Sequence, residues 1–250
     1  MTLADWNIVE SLPPLNPDEV HLWRIDLGDD DALLSAISPI LSPEEQARAQ
    51  RRLPGRVRAE FVIGRTCLRL LLGHATGVDP ASLKLREDSF GKPVLEGDRA
   101  ASISFNVSHS HGLILIAISS QSYVGIDIEF LGRTTDIDAL LPSVLGPAET
   151  AWWSSLPSIE EKRRAFYQLW TRKEAWVKAE GQGLSIELTA LDVTGEVERW
   201  VKVGVDGKCF FLSDITVEDR IAGAIAVVSP NCRIRMYDFP LSVLRPLLYK

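Results

Sequence analysis

Leu41-Ser-Pro-Glu-Glu45 recurs 104 residues further along the chain as Leu145-Gly-Pro-Ala-Glu149. Serine or glycine followed by proline and then acidic residues is typical of a helix start, because proline suits the first helical turn and carboxylates stabilise the helix N-terminus. A long helical pattern follows each copy, near Phe61 and near Phe166. The two matching stretches therefore predict one supersecondary unit that occurs twice.

A third match extends this repeat. Ala117-Ile-Ser119, which is followed by a turn and a strand, resembles Val227-Val-Ser229. Because the matches keep the same order, they predict two α+β lobes of similar build. We place an N-terminal lobe at residues 1–121 and a C-terminal lobe at residues 122–250. Chance recurrence of ordinary helix-cap and strand patterns is the alternative.

The composition limits the function classes. The chain has 250 residues, of which 46% are hydrophobic and 24% charged, as in soluble globular proteins. Its formal net charge of −7 disfavours non-specific binding to nucleic acid or anionic membranes. The longest apolar runs, Leu113–Ile118 and Ile221–Val228, are too short to span a membrane, and we expect no export signal. Three widely spaced cysteines match no zinc pattern and indicate a reduced cytoplasm.

Positive charge is concentrated in one segment. Seven arginines and one acid lie between Gln46 and His74. A solvated helix face explains this pattern, and so does a local anion-binding surface on an acidic protein. The arginines are Arg48, Arg51, Arg52, Arg56, Arg58, Arg65 and Arg69.

Gly125-Ile-Asp-Ile-Glu129 alternates as a strand does. Asp127 and Glu129 share one face, and the two isoleucines point the other way, into the core. Two carboxylates on one face can hold a hard cation such as Mg²⁺. An acidic, solvent-facing strand has the same pattern.

The pattern over Arg163–Glu180 predicts a helix that ends at Gly181. Glu174 and Lys178 stand one turn apart on it, which favours either an ordinary salt bridge or a third carboxylate beside a phosphate-binding cation. Trp170 on the same helix is expected in the core.

Ile103, Phe105 and Val107 alternate with polar residues and predict another strand. Asn106 and Ser108 share its second face, and we expect His109 to begin the turn that follows. An imidazole there can donate a hydrogen bond to a phosphate or can simply cap the turn.

Five stretches of the sequence resemble the 4′-phosphopantetheinyl transferases of the larger, two-lobed type that activates peptide and polyketide synthetases. They are Phe90-Gly-Lys-Pro93, Asn106-Val-Ser-His109-Ser, Gly125-Ile-Asp-Ile-Glu129, Trp170-Thr-Arg-Lys-Glu174 and Lys178-Ala-Glu-Gly-Gln-Gly-Leu184. The resemblance covers Leu41 to Tyr237, which is nearly the whole chain. It implies a pseudo-twofold pair of similar α+β lobes, with coenzyme A in the cleft between them.

The resemblance also implies roles for individual residues. Mg²⁺ would be held against the coenzyme A pyrophosphate by Asp127, Glu129 and Glu174. Lys178 would contact the phosphates and, with Glu174, would act in catalysis. The residues expected to bind the nucleotide end and its 3′-phosphate are Arg56, Lys92, Asn106, Ser108 and His109, with Arg48 as a further contact.

The expected reaction is attack of a carrier-protein serine on the β-phosphate of coenzyme A, with release of adenosine 3′,5′-bisphosphate. Glu174 and a water on the metal are the two candidates for the base. A non-catalytic coenzyme A or acyl-carrier binding protein is the alternative function, and a transferase restricted to the fatty-acid carrier protein is a narrower one. We expect a monomer, because a duplicated fold builds both walls of the cleft within one chain.

Overall fold

The computed structural model describes residues 5–27, 38–52, 55–88, 91–97, 102–120, 123–181, 187–195, 200–205, 207–239 and 244. Phe90, the end of the last matched stretch at 182–184 and the expected lobe boundary at 121/122 lie outside the described residues. Within the described ranges the chain forms both helices and sheets, so the predicted α+β class is confirmed.

The elements follow one another in this order. The strands are β1 (Trp6–Ile8), β2 (Glu19–Asp26), β3 (Leu85–Glu87), β4 (Pro93–Leu95), β5 (Ser104–Ser110), β6 (Leu113–Ser119), β7 (Val124–Phe130), β8 (Val201–Val205), β9 (Lys208–Asp214), β10 (Ile221–Val227) and β11 (Arg233–Asp238). The helices are α1 (Pro43–Arg51), α2 (Arg56–Thr76), α3 (Ile137–Val144), α4 (Pro147–Ser154) and α5 (Ile159–Glu180), with 3₁₀ turns at Ser38–Ile40, Pro80–Ser82 and Leu188–Ala190.

The chain divides into two compact units, and neither is continuous in sequence. The N-terminal unit consists of Trp6–Ser104, Gly112–Gln121 and Arg233–Lys250. The C-terminal unit consists of Met1–Asp5, Phe105–His111 and Ser122–Cys232. Segments distant in sequence therefore complete each unit, since long-range strand pairing builds both cores.

The N-terminal unit is organised around β2. This strand pairs in parallel with β11 and antiparallel with β6, and β1 adds to β11 in parallel. Helix α2 packs closely on β6, because a Cβ placed on Gly64 would come 3.2 Å from Cδ1 of Ile114. Helix α1 begins with a capping box, in which the Ser42 hydroxyl accepts from Glu45 N and the Glu45 carboxylate accepts from Ser42 N.

The C-terminal unit contains an antiparallel sheet in the order β7-β10-β9-β8. Helix α5 packs against this sheet, and Phe166, Trp176, Phe210 and Leu212 are buried between them. The helix ends at Gly181, which adopts a left-handed conformation with φ 85° and donates its N–H to Val177 O. This packing brings one face of α5 to β7, the strand at the edge of the sheet.

Several sequence expectations can be compared directly with these elements. The strand predicted at Gly125–Glu129 lies within β7 and is confirmed. The helix predicted at Arg163–Glu180 is also confirmed, although it begins earlier, at Ile159. The expectation that His109 begins a turn is wrong, because β5 continues to Ser110 and the turn follows at His111, where φ is 54°. The hydroxyls of Ser108 and Ser110 bond to β7 and keep this segment extended.

None of the helices in the described part of the chain is long and apolar enough to cross a membrane. The three cysteines are free thiols, with Cys67 and Cys232 buried and Cys209 half-buried. Burial raises the pKa of the Cys67 thiol, so this group stays protonated and serves as an apolar packing residue.

Candidate active site

An open pocket of about 340 Å³ lies in the C-terminal unit, beside the edge strand β7. Every predicted magnesium ligand and both predicted catalytic residues are in its wall. The lining residues are Val107, Ser108, His109, Asp127, Ile128, Glu129, Trp170, Glu174 and Lys178. Three separate elements, β5, β7 and α5, therefore supply one site.

Gly125 allows α5 to approach β7 closely enough to form this pocket. A Cβ at this position would lie 2.0 Å from Ala175 O and 2.4 Å from Ala179 N, both in the backbone of α5. Any other residue would force the helix away from the strand. The glycine thus places Glu174 and Lys178, which directly precede the contact residues Ala175 and Ala179, next to the carboxylates of β7.

Asp127 is the centre of the site. It is 5% exposed, and its Oδ1 accepts from Lys178 Nζ at 2.6 Å and from the Ser108 hydroxyl at 2.9 Å. Its Oδ2 is buried and has no hydrogen-bond partner among the described residues. Because an unsatisfied buried carboxylate oxygen is costly, Oδ2 has unused capacity to bind a cation or a donor.

Burial and the charge of Asp127 both raise the pKa values of the other two carboxyl groups, Glu129 and Glu174. Burial, followed by the negative charge of Asp127, raises the pKa of Glu129, while Arg133 and Lys178 oppose this. The same two causes raise the pKa of Glu174, opposed by Lys178. Glu129 is also paired with Arg133, whose Nη1 lies 2.9 Å from Oε2. The pocket therefore concentrates negative charge that a cation would relieve.

A divalent cation fits these residues chemically. Mg²⁺ takes oxygen ligands, and Asp127 Oδ2 is a buried oxygen to which none of the described residues donates a hydrogen bond. Among the described residues no group of three or more His, Cys, Asp and Glu side chains is arranged to hold a metal ion. Asp127, Glu129 and Glu174 thus share a pocket without converging on one point, because Lys178 and Arg133 engage two of them.

Lys178 carries a positive charge into the pocket. Besides its bond to Asp127, its Nζ donates to the Ser108 hydroxyl at 3.3 Å. Trp170, expected in the core, is half-buried and forms part of the pocket wall, whereas Trp176 on the same helix is fully buried. The pocket therefore has one cationic and one aromatic side chain next to its carboxylates.

The residues of β5 are divided between two faces. His109 is exposed and lines the pocket, whereas Asn106, Ser108 and Ser110 are buried. These three side chains bond to backbone N–H groups of β7. Ser110 was not among the predicted site residues, although the alternation Asn106-x-Ser108-x-Ser110 is visible in the sequence and places all three on one face.

The other residues expected at the nucleotide end belong to the N-terminal unit. Arg56 begins α2, and its guanidinium lies where a Cβ on Gly112 would otherwise be. Lys92 lies in the turn between β3 and β4, and its N–H donates to Asp88 Oδ1 at 2.9 Å. Arg48 forms an ion pair with Glu87.

Comparisons with known proteins agree for both halves of the sequence. Residues 123–217 match the family described as the 4′-phosphopantetheinyl transferase superfamily. Residues 29–121 match the family described as 4′-phosphopantetheinyl transferase, N-terminal. Together the two matches include every site residue discussed above.

Individual relatives carry the same description. The 4′-phosphopantetheinyl transferase HetI of Nostoc sp. is 37% identical over 212 residues, which is 84% of this chain and 88% of that protein. The 4′-phosphopantetheinyl transferase of Bacillus subtilis is 29% identical over 68% of this chain and 71% of that protein. The L-aminoadipate-semialdehyde dehydrogenase-phosphopantetheinyl transferase of Homo sapiens is 26% identical over 76% and 68%, respectively.

Proposed function

The chain belongs to the 4′-phosphopantetheinyl transferase family, and from this premise we propose that it transfers the 4′-phosphopantetheine arm of coenzyme A to a serine of an apo carrier protein. The observation that supports this function best is the pocket around Asp127. It combines a buried carboxylate oxygen, which has no hydrogen-bond partner in the described part of the chain, with two further carboxylates and a lysine. Transfer of a phosphate-linked group needs this combination, because the protein contributes mainly positioning and charge neutralisation.

In the proposed reaction the serine Oγ of the carrier forms a bond to the β-phosphorus of coenzyme A. The bond from this phosphorus to the oxygen that bridges the two phosphates breaks. The electron pair leaves with adenosine 3′,5′-bisphosphate, and the serine proton passes to a base. We assign the base to Glu174, since it lines the pocket and its raised pKa makes it a better proton acceptor than an ordinary carboxylate.

Asp127, Glu129 and Glu174 would hold Mg²⁺, which when bound supplies positive charge to the pyrophosphate. A carboxylate has two oxygens, so Glu174 can serve as ligand and as base. Lys178 takes part through its ammonium group. It donates to Asp127 and Ser108 here, and in the reaction it would donate to phosphate oxygens as their charge develops.

The remaining predictions are retained as parts of the proposal. Arg56, Lys92 and His109 would contact the nucleotide end of coenzyme A, and Asn106 and Ser108 would lie beside it. The lobes would divide near residues 121 and 122, and the enzyme would act as a monomer in the cytoplasm. Two buried free thiols and one half-buried free thiol are consistent with a reducing compartment.

A transfer assay tests the proposal. The purified protein is incubated with coenzyme A, MgCl₂ and a panel of apo carrier domains from peptide, polyketide and fatty-acid systems, and the carriers are weighed by mass spectrometry. We expect at least one carrier to gain one phosphopantetheine arm, and we expect EDTA to prevent the gain. Binding of coenzyme A without modification of any carrier would instead indicate a non-catalytic binding protein.

A further inference from the structure

Three side chains of β5 bond to backbone N–H groups of β7 at regular intervals. In an ordinary sheet, backbone carbonyls of a neighbouring strand would accept from these groups. Here the acceptors are side-chain oxygens at every second residue. The bonds are Ile126 N to Asn106 Oδ1 (2.9 Å), Ile128 N to Ser108 Oγ (3.2 Å) and Phe130 N to Ser110 Oγ (3.0 Å).

Each of the two serines makes a second hydrogen bond, and in each case the acceptor is a different carboxylate of the pocket. The Ser108 hydroxyl donates to Asp127 Oδ1 at 2.9 Å, and the Ser110 hydroxyl donates to Glu129 Oε2 at 3.4 Å. Each hydroxyl thus holds a carboxylate and also the backbone N–H of the residue that follows it. A backbone carbonyl could accept from the N–H, but it has no proton to donate to the carboxylate.

The hydrogen-bonding capacity of Ser108 is fully used. A hydroxyl donates one hydrogen bond and accepts two. Ser108 donates to Asp127 and accepts from Ile128 N and from Lys178 Nζ. A direct bond from this hydroxyl to a nucleotide would require the loss of one of these three.

Burial supports the same conclusion. Asn106, Ser108 and Ser110 are 3%, 6% and 3% exposed, so little of their surface is available to a ligand. His109, between the two serines, is exposed and lines the pocket. Alternation along β5 therefore places these three side chains on the face that bonds to β7, where Ser108 also borders the pocket, and leaves His109 exposed on the other face.

We propose that Asn106, Ser108 and Ser110 form a ladder that positions the carboxylates of Asp127 and Glu129, in place of the direct nucleotide contact expected for the first two side chains. They are positioning residues, and their role rests on the proposed function because the two carboxylates serve that reaction. This geometry adds Ser110 to the residues of the site. The ladder fixes the edge strand and both of its carboxylates with the same two hydroxyls.

The test compares three serine variants. Ser110→Ala removes the ladder bond, Ser110→Thr keeps the hydroxyl, and Ser213→Ala is the matched control. Ser213 is a buried serine in β9 of the same unit, and its hydroxyl donates to Asp214 O at 3.4 Å instead of to a carboxylate of the pocket. Amide hydrogen exchange, Mn²⁺ binding and transfer kinetics are measured on each variant with the full chain.

In Ser110→Ala we expect the Phe130 amide to exchange about fivefold faster, as the loss of one hydrogen bond predicts, with Ile126 unchanged. Mn²⁺ binding should weaken and kcat should fall by about tenfold, while KM for coenzyme A stays within about twofold. Ser110→Thr should restore all three quantities, and Ser213→Ala should change none of them.

If the amide hydrogen exchange rate of Phe130 were unchanged in Ser110→Ala, the proposed ladder would be refuted. Faster exchange with unchanged Mn²⁺ affinity and unchanged kcat would overturn the positioning role and leave a structural bond. If Ser110→Thr fails to fold by near-ultraviolet circular dichroism, Asn106→Leu deletes the bond to Ile126 without touching a carboxylate, and unchanged exchange at the Ile126 amide would likewise refute the ladder. Exchange and Mn²⁺ binding do not depend on turnover, so absence of transfer in the unmodified protein would refute the proposed function separately.

Discussion

Both units bury an ion pair between a short helix and the long helix that follows it. In the N-terminal unit, Arg69 Nε lies 2.7 Å from Glu45 Oε2, and in the C-terminal unit, Lys173 Nζ lies 2.5 Å from Glu149 Oε2. In each case 24 residues separate the partners. The predicted repeat at a spacing of 104 residues is therefore confirmed by equivalent contacts.

The strands that flank these helices also repeat as antiparallel pairs, although their pairing makes Ser119 equivalent to Val227 and not, as the sequence match predicted, to Ser229. Strands β2 and β6 are antiparallel with Val20 opposite Ser119, and β7 and β10 are antiparallel with Val124 opposite Val227. Counting back 104 residues from the site of the C-terminal unit gives its counterparts in the N-terminal unit. Asp127, Glu129, Glu174 and Lys178 correspond to Trp23, Ile25, Leu70 and His74.

The counterparts differ completely in chemistry. Trp23 and Ile25 are buried apolar residues of the N-terminal core, with 2% and 0% exposure, whereas the C-terminal unit has carboxylates at these positions. The repeated architecture thus does not depend on the carboxylates. The comparison teaches that the buried ion pair maintains the fold of each unit, while the pocket is a separate property of the C-terminal unit alone.

Asp127→Asn should have the largest effect, a loss of transfer of about a thousandfold or more, because the pocket loses the charge at its centre. Its fold should survive, since the counterpart position is occupied by an uncharged residue. The rate of carrier modification and the thermal midpoint measure both effects. Transfer near the unmodified rate in saturating MgCl₂ would remove Asp127 from the site.

Lys173→Met and Arg69→Met test the shared ion pair. Each leaves a buried glutamate without its cation and should cost about 3–5 kcal/mol in the free energy of unfolding. The C-terminal variant should cost more, because Glu149 is 1% exposed and Glu45 is 9% exposed. Urea titration measures both. If one variant were fully stable, the two pairs would not be equivalent.

Lys178→Ala should lower kcat and kcat/KM together by about 10–100-fold, as expected for a charged hydrogen bond made mainly in the transition state. His74→Ala is its matched control, because this counterpart residue lies in the N-terminal unit, where its ring nitrogen hydrogen-bonds with Pro13 O at 3.2 Å.

His109→Ala should chiefly raise KM for coenzyme A, and less for dephospho-coenzyme A. An equal rise for both would show that His109 does not contact the 3′-phosphate.

Glu174→Gln should produce the smallest effect on the fold, a rise in Tm of about 2 °C at pH 7 without metal. The pKa of Glu174 is raised in the folded protein, so its ionisation lowers stability as the pH rises from the unfolded value near 4.5 through the folded value. Glutamine does not ionise, so the variant avoids this loss of stability. The variant and the unmodified protein should converge below pH 4.5.

Glu160→Gln is the control for this measurement. Glu160 lies on the same helix, and its side chain is 66% exposed in a surface pair with Arg164, so its loss should change the free energy of unfolding by less than about 0.5 kcal/mol. A lower Tm in Glu174→Gln than in Glu160→Gln would contradict the cost assigned to the buried carboxylate.

Local patterns predicted much of this fold and of its candidate site. Alternation placed Asp127 and Glu129 on one face, and a spacing of four residues placed Glu174 and Lys178 together on α5. Two features depend on contacts that no local pattern contains. Strand β11 pairs with β2 across more than 200 residues, and α5 approaches β7 through a backbone contact at Gly125.

The sequence pattern also failed to predict where β5 ends, for a related reason. Polar residues after Val107 suggested a turn, because alternation alone does not reveal what a polar face will bond to. In the folded chain the partner of that face is the edge of β7, so the strand continues to Ser110. The same bonds explain why the polar side chains of Asn106, Ser108 and Ser110 are buried.

The ladder on β7 also has a consequence for self-association. Unpaired N–H groups along a sheet edge are a template on which another chain can add a strand and begin aggregation. On β7 three of these donors are already occupied by side chains of β5. The bonds that hold the carboxylates in place therefore also close this edge, and a chain that loses them would be more prone to aggregate.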